Sequence, residues 1–169
     1  MGSPDAKRLG AERPDVKRLT IDSPLGKLTL SSSAGGLTAL DWNLAGSHAD
    51  ADPVLEEAAR QLHQYFAGER PGFDLPMQPH GTLFQKRVWA AMVEIPCGKT
   101  ATYGGLARQL ESAPRAIGGA CGRNPLPIVI PCHRVVAGAG KGGYSGLGGL
   151  TTKDWLLNHE MAMAAEPVA

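Results

Sequence analysis

The chain has 169 residues, 43% hydrophobic and 20% charged, a balance that suits one or two small globular domains and excludes a disordered chain. Its 22 glycines and 13 prolines, beside 5% aromatics, point to many turns and close backbone approaches. A net charge of +1, taken whole, weighs slightly against a nucleic-acid partner.

No run approaches the roughly 20 apolar residues of a membrane span. The N-terminus lacks the apolar stretch of a signal peptide, so no membrane partner and a cytoplasmic location are expected. Cys97, Cys121 and Cys132 are odd in number and show no CxxC spacing. Neither a disulfide framework nor a four-ligand zinc site can be read from them, and His48, His63 and His80 alone make no metal site.

Residues 1–18 contain PDAKRL and PDVKRL, a near-copy ten residues apart and too short for a solenoid unit; they read as a flexible leader. Residues 19–78 read as an N-terminal α/β domain. Leu28 and Leu30 alternate, and Ser23-Pro24-Leu25-Gly26 and Ala34-Gly35-Gly36 supply turns, which predicts a small antiparallel sheet. Asp52 is placed to cap a helix with Pro53 at its first position and Leu55, Ala59, Leu62 and Phe66 at helical spacing up to Gly68. The stretch ERPGFDLPMQPHG reads as a linker.

Residues 79–164 form the second predicted domain. Thr82 and Gln85 match a capping box ahead of the stripe Phe84, Val88, Met92 and Ile95. Residues 102–110 and a segment opened by Ala113-Pro114 read as two short helices in a helix-turn-helix. Residues 126–130 read as an apolar strand bounded by prolines, and Thr151 or Thr152 as the cap of a last helix carrying Trp155, Leu156 and Leu157. Residues 1–80 hold 8 Lys/Arg against 11 Asp/Glu, whereas residues 81–160 hold 9 against 4. The neutral total conceals a basic second half, where the helix pair lies.

Cys132 sits in Ile130-Pro131-Cys132-His133-Arg134-Val135, directly followed by two positive or proton-accepting neighbours that would favour its thiolate. In a continuing strand His133 would point away from the sulfur. Either the backbone leaves extended geometry after Pro131, or a base acts through a water. Cys97 and Cys121 lack such neighbours and read as structural.

The stretch from Asn124 to Val135, NPLPIVIPCHRV, resembles the active-site signature of the O6-alkylguanine-DNA alkyltransferases. The resemblance extends upstream through Phe84-Gln85, Val88-Trp89, Ile95-Pro96, Gly98-Lys99-Thr100, Tyr103 and Arg115-Ala116-Ile117-Gly118. Downstream it takes in Gly143-Tyr144-Ser145-Gly146 and the segment from Lys153 to Glu160. The N-terminal half resembles the family only loosely. The connection over residues 110–115 is shorter than the family pattern, and the loop over residues 145–150 is longer.

The resemblance implies an α/β fold: a small N-terminal antiparallel sheet plus helix, then a mainly helical, winged-helix-like DNA-binding domain. It implies irreversible transfer of an alkyl group from O6-alkylguanine, and less efficiently O4-alkylthymine, to Cys132 after the base is flipped out of duplex DNA. His133 would be the water-mediated base, Glu160 the carboxylate orienting it, and Tyr103 the proton donor to the leaving guanine. Arg115 would fill the vacated stack, Tyr103 would rotate the phosphate, and Ala116, Gly118 and Gly119 would lie along the minor groove, where bulk is excluded. Val135, Tyr144, Ser145 and Asn124 would hold the substrate and its pocket. Nothing regenerates the thiol, so the protein would be a stoichiometric reagent, monomeric and without a cofactor or metal.

Three other readings compete. A non-enzymatic sensor of alkylated guanine has another residue, typically Trp, where Cys132 stands. A cysteine hydrolase using Cys132 and His133 gives no account of the helix pair. A transcription regulator leaves PCHRV without a purpose.

Overall fold

The computed structural model describes residues 15–139, 142 and 149–165. Three strands, β1 (Lys17–Ile21), β2 (Leu28–Ser33) and β3 (Gly36–Trp42), form an antiparallel sheet in that order. Lys17 and Arg18, read as leader, therefore open β1; residues 1–14 lie outside the described residues. Ala34 and Gly35 between β2 and β3 both have positive φ (52° and 78°), the conformation that lets a two-residue hairpin follow the strand twist. Leu28, Leu30, Leu37 and Leu40 carry the buried face.

Both sheet edges are covered, which removes the unpaired backbone groups that invite aggregation. On β1, Thr20 N–H donates to the His48 carbonyl at 2.9 Å and Asp50 N–H to Arg18 at 3.0 Å. On β3, Leu37 N–H donates to Pro76, Gln78 N–H to Leu37, and Leu40 N–H to Pro125, all at 2.8–2.9 Å. The stretch read as a linker is thus tied to the sheet over residues 76–78. The third of these bonds joins the sheet to the second half of the chain.

Helix α1 (Pro53–Phe66) packs Leu55, Ala58, Ala59, Leu62 and Tyr65 against that sheet. Asp52 Oδ1 accepts from Val54 N–H at 3.1 Å, as its sequence position implies, and Oδ2 takes a hydrogen bond from Ser32. Helix α2 (Leu83–Val93) opens with the capping box: Thr82 Oγ1 accepts from Gln85 N–H at 3.1 Å and Gln85 Oε1 from Thr82 N–H at 3.0 Å.

Helices α3 (Tyr103–Gln109) and α4 (Pro114–Gly122) pack on each other and are joined by a four-residue turn. Its geometry explains how so short a connection closes. Glu111 adopts φ +53°, Ser112 N–H donates to Ala107 at 2.8 Å and Glu111 N–H to Arg108 at 3.4 Å, which together make a Schellman ending. Helix α5 (Leu150–Ala165) closes the chain. Here the sequence reading needs correcting: Thr151 and Thr152 lie inside α5, and its first turn is closed by Lys153 N–H donating to the Gly149 carbonyl at 3.1 Å.

A second correction concerns residues 126–130, which are not a strand. Proline at 125, 127 and 131 removes ladder donors, and the chain instead folds on itself: Ile130 N–H donates to Leu126 at 2.8 Å. Ile128 is forced to φ +74°, a left-handed conformation that costs a side-chain-bearing residue about 1–2 kcal/mol. Burial of Leu126, Ile128, Val129 and Ile130 offsets that cost.

The buried Trp89 indole N–H donates to the Ala120 carbonyl at 2.9 Å, pinning α4 to α2. Trp89→Phe is expected to lower stability by about 1–3 kcal/mol through the lost hydrogen bond and volume. Urea unfolding with a lower midpoint and an unchanged slope is the expected result; an unchanged midpoint would show that this bond does not hold α4.

Candidate active site

Pro131 sets the direction in which the chain enters Cys132. At φ −81° and ψ 69° it forms an inverse γ-turn, with Cys132 N–H donating to the Ile130 carbonyl at 2.8 Å. The next three residues, Cys132–Arg134, form one turn of 3-10 helix. The backbone thus leaves extended geometry at the residue where sequence reasoning needed it to. Asn124 fixes the approach: its Nδ2 donates to the Ile130 carbonyl at 2.8 Å and its Oδ1 accepts from Leu126 N–H at 2.9 Å.

The Cys132 thiol is buried, and that burial pushes its pKa up. A hydrogen bond with Asn124 and the charge of Lys153 oppose the rise. The cation that favours the thiolate is therefore Lys153 on α5, not Arg134, whose guanidinium turns away. Lys153 is fully buried, and its Nζ donates to the Val135 carbonyl at 2.7 Å. It also sits 6.0 Å from the centre of the Tyr103 ring. Cys97 is pushed up to about 11 and Cys121 to about 12, chiefly by burial.

Behind the cysteine lies a buried trio. His133 Nε2 is 2.6 Å from Glu160 Oε1, and Arg134 Nε donates to both Glu160 oxygens at 2.8 and 3.0 Å. Arg134 Nη1 donates to the Ile95 carbonyl at 2.6 Å and Nη2 to Pro71 at 3.4 Å. Burial alone would raise the Glu160 pKa, but the hydrogen bonds from His133 and Arg134, with the Arg134 charge, outweigh it and hold the carboxyl below its usual range. Burial pushes the His133 pKa down, against the pull of Glu160. A neutral imidazole beside an ionised carboxylate donates through Nε2, which leaves Nδ1 as the proton acceptor. Nδ1 is buried and has no hydrogen-bond partner among the described residues.

Tyr103 opens α3, and a two-residue parallel pair holds it beside the cysteine segment. Ala101 pairs with Val135 and Thr102 with Val136, as β4 (Ala101–Thr102) and β5 (Val135–Val136). Gly142 lies against this ring, since a Cβ there would come within 2.8 Å of Tyr103 Cε2. A cleft of about 620 Å³ is lined by Tyr103, Arg108, Arg115 and Gly118 together with Ala137 and Gly138. Arg115 is exposed on the first turn of α4, and a Cβ on Gly119 would meet nothing within 4 Å. Ala116, Gly118 and Gly119 thus leave that side of α4 without bulk.

The structure buries Cys132, His133 and Glu160 and bonds His133 to Glu160, while Asn124 bonds the Ile130 carbonyl before the cysteine and Val135 accepts from Lys153. Tyr103 and Arg115 share the neighbouring cleft, which Cys132 itself does not line. Tyr144 and Ser145 lie outside the described residues. Sequence reasoning missed Lys153 beside the thiol and took Arg134 as a neighbour favouring the thiolate, whereas its guanidinium bonds Glu160, Ile95 and Pro71. Among the described residues no three His, Cys, Asp or Glu side chains gather to hold a metal ion, and no helix is long and apolar enough to cross a membrane.

Comparison with known proteins places the chain in a family. Residues 83–162 match the family model of the 6-O-methylguanine DNA methyltransferase DNA-binding domain, and residues 16–79 that of its ribonuclease-like domain. A methylated-DNA–protein-cysteine methyltransferase of Methanosarcina acetivorans is 41% identical over 150 residues, covering 83% of this chain and 95% of the relative. The crystal structure of Mycobacterium tuberculosis O6-methylguanine methyltransferase superposes with a TM-score of 0.79 at 39% identity, covering 92% of this chain and 97% of the other. The structure of Mycobacterium tuberculosis OGT in complex with DNA gives 0.77 at 40%, covering 87% and 94%. A buried Cys-His-Glu cluster behind a small-residue helix, matched along both halves of the chain, makes this protein a member of the methylated-DNA–protein-cysteine methyltransferase family.

Proposed function

We propose that this protein repairs O6-alkylguanine in duplex DNA, and O4-alkylthymine less efficiently, by moving the alkyl group irreversibly onto Cys132. The observation that carries this reading is the position of Cys132 at the bend after Pro131, beside a neutral His133 held by Glu160. The thiol proton passes, through a water, to His133 Nδ1. The sulfur lone pair then attacks the alkyl carbon; the S–C bond forms as the C–O6 bond breaks. The bonding electrons go to the guanine, and Tyr103 supplies the proton that neutralises it. The thioether product has no good leaving group, so each molecule reacts once.

Access to the alkyl carbon requires the nucleotide to leave the stack, at a cost of a few kcal/mol. Arg115 at the mouth of the cleft is suited to fill the gap, and the bare side of α4 to enter a minor groove only about 6 Å wide. Helices α3 and α4 act here as the helix-turn-helix of a winged-helix-like DNA-binding domain, spanning residues 79–164. Val135 would read the base through its backbone, with Tyr144 and Ser145 completing the pocket. A monomer acting on DNA in the cytoplasm fits this reading.

Three predictions follow from these roles. Intact mass after incubation with a duplex bearing one O6-methylguanine should rise by one methyl in place of one hydrogen. The adduct should map to the Cys132 peptide and vanish in Cys132→Ala; an adduct on Cys121 would overturn the mechanism. Arg115→Ala should slow repair of duplex far more than reaction with free O6-methylguanine base, and equal losses would remove Arg115 from the flipping step.

The third prediction concerns acid. His133 has a folded pKa below its ordinary 6.5, and Glu160 one below its ordinary 4.5. For each, the unfolded chain binds the extra proton, so stability rises with pH through that range. The His133 contribution is complete above 6.5 and is lost as pH falls below it; that of Glu160 is lost further down, from about 4.5. The urea midpoint should therefore fall between pH 7 and pH 5; a flat profile there would mean that His133 is not held neutral.

A further inference from the structure

Helix α5 has two working sides. Lys153, Leu156 and Glu160, at spacings of three and four, are buried toward the site, where Lys153 bonds Val135 and Glu160 bonds His133 and Arg134. Trp155, His159 and Met163, four residues apart, lie instead on the last turn of α1 and the residues after it. The Trp155 ring is 5.9 Å from Phe66, and a Cβ on Gly68 would come within 3.7 Å of Met163 Cγ. His159 is the centre of this contact. Its ring stacks on Trp155 at 4.8 Å, receives the edge of Tyr65 at 5.3 Å, and its Nε2 lies 2.6 Å from the Tyr65 carbonyl. A carbonyl only accepts, so Nε2 carries the hydrogen.

His159 and Glu160 are consecutive. The hydrogen bond that tethers α5 to Tyr65 of the N-terminal domain therefore sits one residue from the carboxylate that holds His133. The other restraints near this end are the packing of Met163 on Gly68, the buried bonds of Glu160 itself and the close approach of Ala164 to Gly98, where a Cβ would fall within 2.6 Å. Of these only the Met163 contact reaches the N-terminal domain. Catalytic geometry tolerates little displacement: a shift of about 1 Å can cost 10²-fold in rate.

We propose that His159 is a positioning residue for alkyl transfer, fixing α5 on the N-terminal domain so that Glu160 and Lys153 keep their register on His133 and Val135. The N-terminal domain then contributes to the reaction rate without touching DNA or substrate. This role rests on alkyl transfer to Cys132, and its test separates the two. His159→Phe keeps the ring stack and removes the donor, whereas His159→Gln keeps an N–H donor of similar reach.

Methyl transfer from an O6-methylguanine duplex is followed in single turnover at saturating protein, with duplex affinity measured separately in the Cys132→Ala background. All variants are assayed below their unfolding midpoints. His159→Phe is expected to lower the saturating rate constant about tenfold, equivalent to ~1.4 kcal/mol, with duplex affinity unchanged within about twofold. His159→Gln is expected to recover most of that loss. Should Phe not fold, His159→Asn, whose amide falls short of the Tyr65 carbonyl, replaces it in the comparison with Gln. A wild-type rate in His159→Phe, a loss confined to affinity, or a Gln variant as slow as Phe would each overturn the positioning role. A wild-type protein that forms no Cys132 adduct would instead overturn the function on which it rests.

Discussion

The structure turns on one buried carboxylate. Glu160 is nearly inaccessible, and a charge so placed costs several kcal/mol unless its oxygens are bonded and its charge balanced. His133 and Arg134, consecutive on one 3-10 turn, supply both requirements. The ionised carboxylate in turn fixes the imidazole hydrogen on Nε2. It also holds the guanidinium, which spends its remaining donors on Ile95 and Pro71. One charge pair thereby ties α5, the turn at Cys132, the end of α2 and the segment between the domains. Removing Glu160 leaves the Arg134 charge buried without its counter-ion, a loss of about 3–5 kcal/mol.

Three local devices deliver the reacting groups to this anchor. The γ-turn at Pro131 takes Cys132 and His133 out of strand alternation and into one turn of 3-10 helix. Asn124 braces the compact turn before it on both sides, where Ile128 sits in a conformation its branched side chain resists. The short parallel pair of β4 and β5 brings Tyr103 alongside, although 29 positions separate it in sequence from Cys132. Each device is small, and each depends on burial from neighbouring elements to persist.

Much of this was legible in the residues. Asp52, Thr82 and Gln85 marked helix starts because capping is a local interaction between residues two or three apart. The alternation of Leu28 and Leu30 marked the sheet, and PCHRV in its setting marked the buried segment that carries Cys132 and His133. What escaped depends on distant partners. Residues 126–130 looked like a strand because apolar content alone does not separate a strand from a buried turn. Arg134 looked like the cation beside the thiol and Lys153 did not, since which cation faces the sulfur is settled by the docking of α5 from the far end of the chain. Thr151 and Thr152 looked like caps, but the helix begins one residue earlier, at Leu150.

The two remaining thiols have a consequence for how such a protein can be counted. With Cys97 near 11 and Cys121 near 12, roughly one in ten thousand of either, or fewer, is ionised at neutral pH. Neither has the hydrogen bond with Asn124 that opposes the same rise at Cys132. On the proposed chemistry each chain carries one usable equivalent, and a cell's capacity to remove lesions equals its number of unspent molecules rather than a turnover rate. An electrophilic label that enters the Cys132 pocket would report that inventory directly, one label per repair still available.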